Sequence, residues 1–225
     1  MRAQLSAVLR ELTPPVAWRA LRSVSAAVRT PSASGGSEKD AAWYDQAFND
    51  VPAYQAHYRQ THYYFLWCVV VDRIMRSGAT SVLDIGCGPG QVARFLADKG
   101  LTHYHGIDLS PTAIKLAEAL CPDFSFRVAS ALDDDGCLRE PYDTAISLEF
   151  LEHVVEDIAV LKRLNSGTRF IGTVPSFEYE SHVRFFSDCE EVAERYGQLF
   201  DAFSVDVFVS PIDAGRFFLM DGVRR

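Results

Sequence analysis

One nonapeptide, Val82-Leu-Asp-Ile-Gly-Cys-Gly-Pro-Gly90, constrains this chain more than any other segment. An apolar run enters a turn with three glycines in five positions, and Gln91–Lys99 then follows helical spacing. Glycines at such a turn let the backbone approach a ligand where a Cβ would collide. A dinucleotide fingerprint spaces them G-x-G-x-x-G. Counted from Gly86 and Gly88, the third would fall on Gln91, but the chain places it at Gly90. That spacing argues against an NAD-dependent oxidoreductase. Asp84, at the strand end, suits a ligand with a cationic head group rather than a pyrophosphate, such as a nucleoside carrying an amino acid.

The rhythm after Gly78 extends this unit into a sheet. Short β-branched runs at 81–85, 104–107, 124–128, 144–147 and 169–174 alternate with helical stretches at 91–99, 111–120, 150–164 and 188–196. Alternation of this kind predicts a parallel sheet covered by helices on both faces. Residues 202–209 and 215–221 are two strands joined around Pro211 with no helix between them, which predicts a terminal antiparallel hairpin. The fold class expected is α/β, with a Rossmann-like, seven-stranded, mostly parallel sheet over residues 79–225. Residues 38–78 hold nine aromatics, Trp43 to Trp67, without strand alternation, and are expected to form a helical lid. Most of these rings read as core and some as pocket lining.

Charge divides the chain differently. The net charge is −8 over 225 residues, yet residues 1–36 set five arginines against Glu11 and carry +4, leaving −12 elsewhere. An acidic body repels phosphate backbones, which argues against DNA and RNA partners and for a small-molecule one. Leu5, Val8, Leu9 and Leu12, then Ala17, Leu21, Val24 and Val28, follow helical spacing around Pro14-Pro15, and Pro31–Ser37 reads as a linker. Residues 1–37 are thus expected to be a basic amphipathic appendage. Peripheral contact of residues 1–30 with an anionic membrane is one reading and a loosely packed lid the other. The longest apolar run, Tyr63–Val71, has nine residues, about half of the ~20 that span a bilayer. Five scattered cysteines without a C-x-x-C pair, and no leader-like apolar block, suggest a reducing cytoplasmic setting.

The next strand ends in Gly106-Ile-Asp-Leu-Ser110, placing Asp108 about twenty residues beyond the glycine turn, where a carboxylate can accept ribose hydroxyls. Together these motifs resemble the class I S-adenosylmethionine-dependent methyltransferases. The resemblance implies that Gly86, Cys87, Gly88 and Gly90 lie along the methionine and ribose, with Asp84 near the ammonium. It also implies that Asp108 holds the ribose, that Leu109 packs on the adenine, and that Ser130, Ala131 and Leu132 cradle the adenine edge. Leu148 joins this cofactor side. Where the family often has an acid, this chain has Ser130, with Asp133 close by.

Amino-methylating enzymes often carry an Asn/Asp-Pro-Pro-aromatic tetrapeptide after the fourth strand; this chain has Ser147-Leu-Glu-Phe. Leu151-Glu-His-Val154 instead looks like the small-molecule O- and N-methyltransferase branch, including ubiquinone-biosynthesis O-methyltransferases. On a helix, Glu149, Glu152 and His153 would share an arc of about 100°. With His182 they form a candidate divalent-metal set, similar to that of metal-using small-RNA 2′-O-methyltransferases, while E-H-V also occurs in metal-free relatives. His153 and His182 are the candidate general bases. The expected function is methyl transfer to a small-molecule hydroxyl. The alternatives are a metal-dependent RNA 2′-O-methyltransferase and a non-catalytic cofactor-binding subunit.

Overall fold

The computed structural model describes residues 32–33, 35–133, 136–139, 141–212 and 215–225. The expected basic appendage falls almost wholly outside them. Seven strands form one sheet: β2 (Ser81–Ile85), β3 (His103–Asp108), β4 (Ser125–Val128), β5 (Thr144–Leu148), β6 (Arg169–Pro175), β8 (Phe200–Val209) and β9 (Arg216–Arg224). Their order is β4-β3-β2-β5-β6-β9-β8. The first five are parallel, and β9 is antiparallel to both β6 and β8. The α/β sheet with its terminal hairpin is therefore the one its strand rhythm predicts.

Helices α2 (Tyr64–Arg76), α3 (Gln91–Asp98), α4 (Pro111–Leu120), α5 (Asp157–Lys162) and α6 (Cys189–Tyr196) follow or precede the strands, and α1 (Ala41–Asp50) lies before them. The strand pleat sends alternate residues into two cores. Leu83, Ala145, Phe170 and Phe218 join one cluster, and Val82, Ile146, Ile171 and Phe217 the other. The helix starts carry their own signals. Ser110 caps α4 by accepting from Ala113 N–H at 3.0 Å, with Pro111 at the first helical position, and Asp188 caps α6 by accepting from Glu191 N–H at 2.9 Å.

Three expectations need correction. Residues 38–78 are not all lid, because Leu66, Trp67, Val70, Val71 and Ile74 of α2 are buried in the second core cluster. Residues 31–37 are not simply a linker: β1 (Ser32–Ala33) pairs antiparallel with β7 (Arg184–Phe185), and Ser37 N–H donates to Glu180 O at 3.1 Å. Gly36 lies so close to this loop that a Cβ would collide with the carbonyls of Tyr179, Glu180 and His182. Finally, 150–164 is not one helix. It is a 3-10 turn, Leu151–His153, followed by α5. The carbonyls of Leu151, Val154 and Val155 turn to the Arg184 guanidinium, and this interrupts the helical bonding.

Candidate active site

The carboxyl ends of β2, β3 and β4 open onto a small cleft of about 60 Å³. Gly86, Asp108, Leu109, Ser130, Ala131 and Leu132 line it, all of them expected from sequence. The glycine turn is held by contacts only glycine permits. Gly90 has φ 82°, and a Cβ there would sit 2.9 Å from Ala117 of α4. Asp108 accepts from Gly88 N–H at 3.0 Å and from Ser110 N–H at 2.9 Å, so its carboxylate ties the turn to the start of α4. Burial pushes its pKa up to about 6. A neutral, hydroxyl-rich ligand that donates to this carboxylate would offset the desolvation. Leu109 is 40% exposed beside it and offers the cleft an apolar surface. The Ser130 hydroxyl accepts from Leu132 N–H, and Asp133 accepts from Ser130 N–H, so these two side chains shape the turn on the cleft's far side.

Other expected residues stand back from the cleft. Asp84 is 2% exposed and accepts from Tyr104 Oη at 2.5 Å; burial drives its pKa up to about 7. Cys87, Gly88, Gly90 and Leu148 are not among the cleft-lining residues either. Burial holds the Cys87 thiol well above its usual range, and its sulfur fills the space where a Cβ on Gly106 would fall.

The second cluster forms beyond β5. Glu149 sits at φ 53°, with its N–H donated to Thr173 Oγ1 at 3.0 Å. It is therefore not on a helix with Glu152 and His153, and the helical arc does not apply. The turn nevertheless brings donors together. Glu152, His153 and His182 each offer one atom, and these atoms lie within 4.8 Å of one another. His153 Nδ1 is 3.0 Å from Ser181 O and His182 Nδ1 is 3.0 Å from Phe177 O. A carbonyl only accepts, so both rings carry the proton on Nδ1 and leave Nε2 with a lone pair. Burial, then the neighbouring His182, pulls the His153 pKa down to about 4; burial also lowers that of His182. Glu152 is fully buried, and neither carboxylate oxygen has a hydrogen-bond partner; one oxygen of Glu149 is likewise unpartnered. Burial raises Glu149 to about 8 and, with the Glu149 charge, holds Glu152 well above the usual carboxylate range.

Helix α1 joins the two clusters, and its contribution was only partly visible in sequence. Tyr44 meets His153 edge-on at 6.1 Å and stacks on Phe48, which packs against Gly88. Burial, then the nearby Glu152 and Asp108 carboxylates, raises the Tyr44 hydroxyl's pKa. Asp45 accepts from Ser110 Oγ and from Thr112 N–H at 2.9 Å, anchoring α1 to the start of α4. Glu38 and Phe150 also line the cleft, and Glu38 accepts from Val155 N–H at 2.9 Å. The aromatic run was the only sequence signal for this wall.

Residues 82–169 match the family model described as methyltransferase domain. The chain's sequence is 39% identical over 99 residues to the ubiquinone biosynthesis O-methyltransferase of Paracidovorax citrulli, covering 41% of this chain and 40% of that protein. It is 35% identical over 104 residues to the chloroplastic tocopherol O-methyltransferase of Arabidopsis thaliana, covering 42% and 29%. The matched stretch thus spans less than half of either relative. The fold of the domain is shared with magnesium protoporphyrin IX methyltransferase from Synechocystis, solved with bound S-adenosylhomocysteine. That likeness has a TM-score of 0.57 at 18% identity and covers 73% of this chain and 84% of that one.

Proposed function

We propose that this protein transfers a methyl group from S-adenosylmethionine to a hydroxyl of a small molecule. The observation that carries the reading is the pairing, in one structure, of the Asp108 cleft with two neutral imidazoles whose Nε2 atoms are unprotonated. S-adenosylmethionine supplies a methyl group already activated on a sulfonium. The chain's own task is then to align the acceptor, exclude water and take up a proton. Asp108 and Leu109 would hold the nucleoside, with Ser130–Leu132 at its far edge. The Nε2 of His153, assisted by His182, would take the acceptor's proton. Tyr44 and Phe48 wall off solvent between the two sides. The names of the O-methyltransferase relatives agree with a small hydroxylated acceptor, and the acidic charge outside the first 36 residues speaks against RNA.

A second reading is favoured by the orphaned carboxylate of Glu152. A carboxylate unpartnered at both oxygens, beside two imidazole lone pairs, suits a divalent cation. Glu152, His153 and His182 would hold it, Glu149 lying outside the cluster that these three form, and it would lower the pKa of the acceptor hydroxyl. The two versions separate by experiment. Turnover of phenolic and sugar acceptors should fall by ~10²-fold in His153→Ala while S-adenosylmethionine binding is retained. Chelation, then add-back of Mg²⁺, Mn²⁺, Fe²⁺ or Zn²⁺, should abolish and restore activity only in the metal version. Wild-type turnover in both His153→Ala and His182→Ala would refute the acceptor side altogether.

Residues 1–30, by charge and spacing, suit transient docking on an anionic lipid surface. Among the described residues no helix is long and apolar enough to cross a membrane.

A further inference from the structure

Arg184 is 7% exposed, yet it lies on neither the donor cleft nor the histidine cluster. Its guanidinium donates from Nη1 to Leu151 O at 2.5 Å and to Val154 O at 2.6 Å, and from Nη2 to Val155 O at 2.9 Å. Asp157 Oδ2 lies 3.2 Å away and neutralises the buried charge. That carboxylate is itself fixed by two bonds from Arg195, at 2.8 and 2.6 Å, and one from Tyr196 Oη at 2.7 Å. The guanidinium therefore grips the turn that carries Glu152 and His153, from a strand two residues beyond His182. Two more bonds close the same seam: Val183 N–H to Glu152 O at 2.8 Å, and His153 Nδ1–H to Ser181 O at 3.0 Å.

We propose that Arg184 is the positioning residue of the acceptor side, locking the Leu151–Val155 turn to the Ser181–Val183 segment so that His153 keeps its Nδ1–H tautomer and presents Nε2. The argument is geometric. The tautomer depends on Ser181 O staying within hydrogen-bond reach of the ring, and both belong to irregular segments with no helix or wide sheet to hold them. Only a planar fork of N–H donors can serve three carbonyls and a carboxylate at once. A lysine ammonium, with the same charge, lacks that fork.

The inference rests on His153 Nε2 being the proton acceptor, and the test separates the two ideas. In Arg184→Lys, S-adenosylhomocysteine affinity should change far less than turnover, because Arg184 does not line the cleft and reaches it only through the carbonyl of Val154. Turnover should fall by ~10²-fold through kcat with little change in the KM for S-adenosylmethionine, the cost of displacing a catalytic group by about 1 Å. Long-range ¹H–¹⁵N correlation should show His153 locked as Nδ1–H in wild type and mixed between tautomers in the variant. Guanidinium ion added to Arg184→Gly should restore both kcat and the locked tautomer. Wild-type kcat and an unchanged His153 tautomer in Arg184→Lys would overturn the proposal. So would loss of S-adenosylhomocysteine binding in every variant without rescue by guanidinium, which would make Arg184 a residue of global folding. If wild type turns over no acceptor, the catalytic reading fails, yet the tautomer measurement still decides the role of Arg184.

Discussion

The buried carboxylates Glu149 and Glu152 make the stability of the fold depend on pH. Burial holds Glu149 near 8 and Glu152 well above the usual carboxylate range, so each keeps a proton when folded that it would release when unfolded at neutral pH. The folded state then binds more protons, and stability falls with rising pH, by up to about 1.4 kcal/mol per pH unit for each group. Below pH 6.5 the fall is opposed by His153 and His182, whose lowered pKa values make the unfolded state the better proton binder. Above pH 7 the histidines are largely neutral in both states and the buried carboxylates dominate, with Asp84 and Asp108, raised to about 7 and about 6, adding to the fall at the lower end of the window. In the presence of a chelator, Tm should therefore drop between pH 6.5 and 8, and Glu152→Gln should melt higher than wild type at pH 8. A flat or rising Tm across that window would contradict the assignment. The identities of these residues were legible in sequence because E-x-x-E-H and a later histidine stand out by type. Their geometry was not, because the positive φ at Glu149 and the 3-10 turn depend on Thr173 and Arg184, contacts 24 and 30 or more residues away.

At the scale of elements, α1 is the piece that turns an open sheet edge into a site. It bears Tyr44 on the histidines and Phe48 on the glycine turn, and Asp45 pins it to the start of α4. Asp45→Ala removes two hydrogen bonds from a carboxylate, worth roughly 1.5–3 kcal/mol each at most for a charged acceptor. The expected outcome is a lower Tm together with weaker S-adenosylhomocysteine binding, since Ser110 also steadies Asp108 through its N–H. Lower Tm with unchanged binding would show that α1 is packing alone. The strands and helices of the sheet were readable because period-2 and period-3.6 patterns are local. The docking of α1 was not, since an aromatic-rich helix fits a lid and a core equally well, and α2 took the core role through Trp67, Val70, Val71 and Ile74.

The whole chain is best tested by where it can be cut. Ser32–Ala33 pair with Arg184–Phe185, and Ser37 bonds to Glu180, on either side of His182. A protein starting at Pro31 should keep its Tm within a few degrees, whereas one starting at Lys39 loses β1 and should lose acceptor turnover before donor binding. Equal turnover of the two truncations would show that β1 plays no part in the site. Co-sedimentation of the full chain with phosphatidylserine vesicles, weakened by salt and absent in the Pro31 truncation, would support surface docking by the basic segment. The central claim is that the β2–α3 glycine turn and Asp108 bind S-adenosylmethionine, and calorimetric titration with S-adenosylhomocysteine tests it most directly. The account predicts saturable binding by wild type, affinity lowered by about 1.5–3 kcal/mol in Asp108→Ala, no loss in His153→Ala, and no binding of NAD. A folded wild type that binds NAD, or that fails to bind S-adenosylhomocysteine, would contradict it.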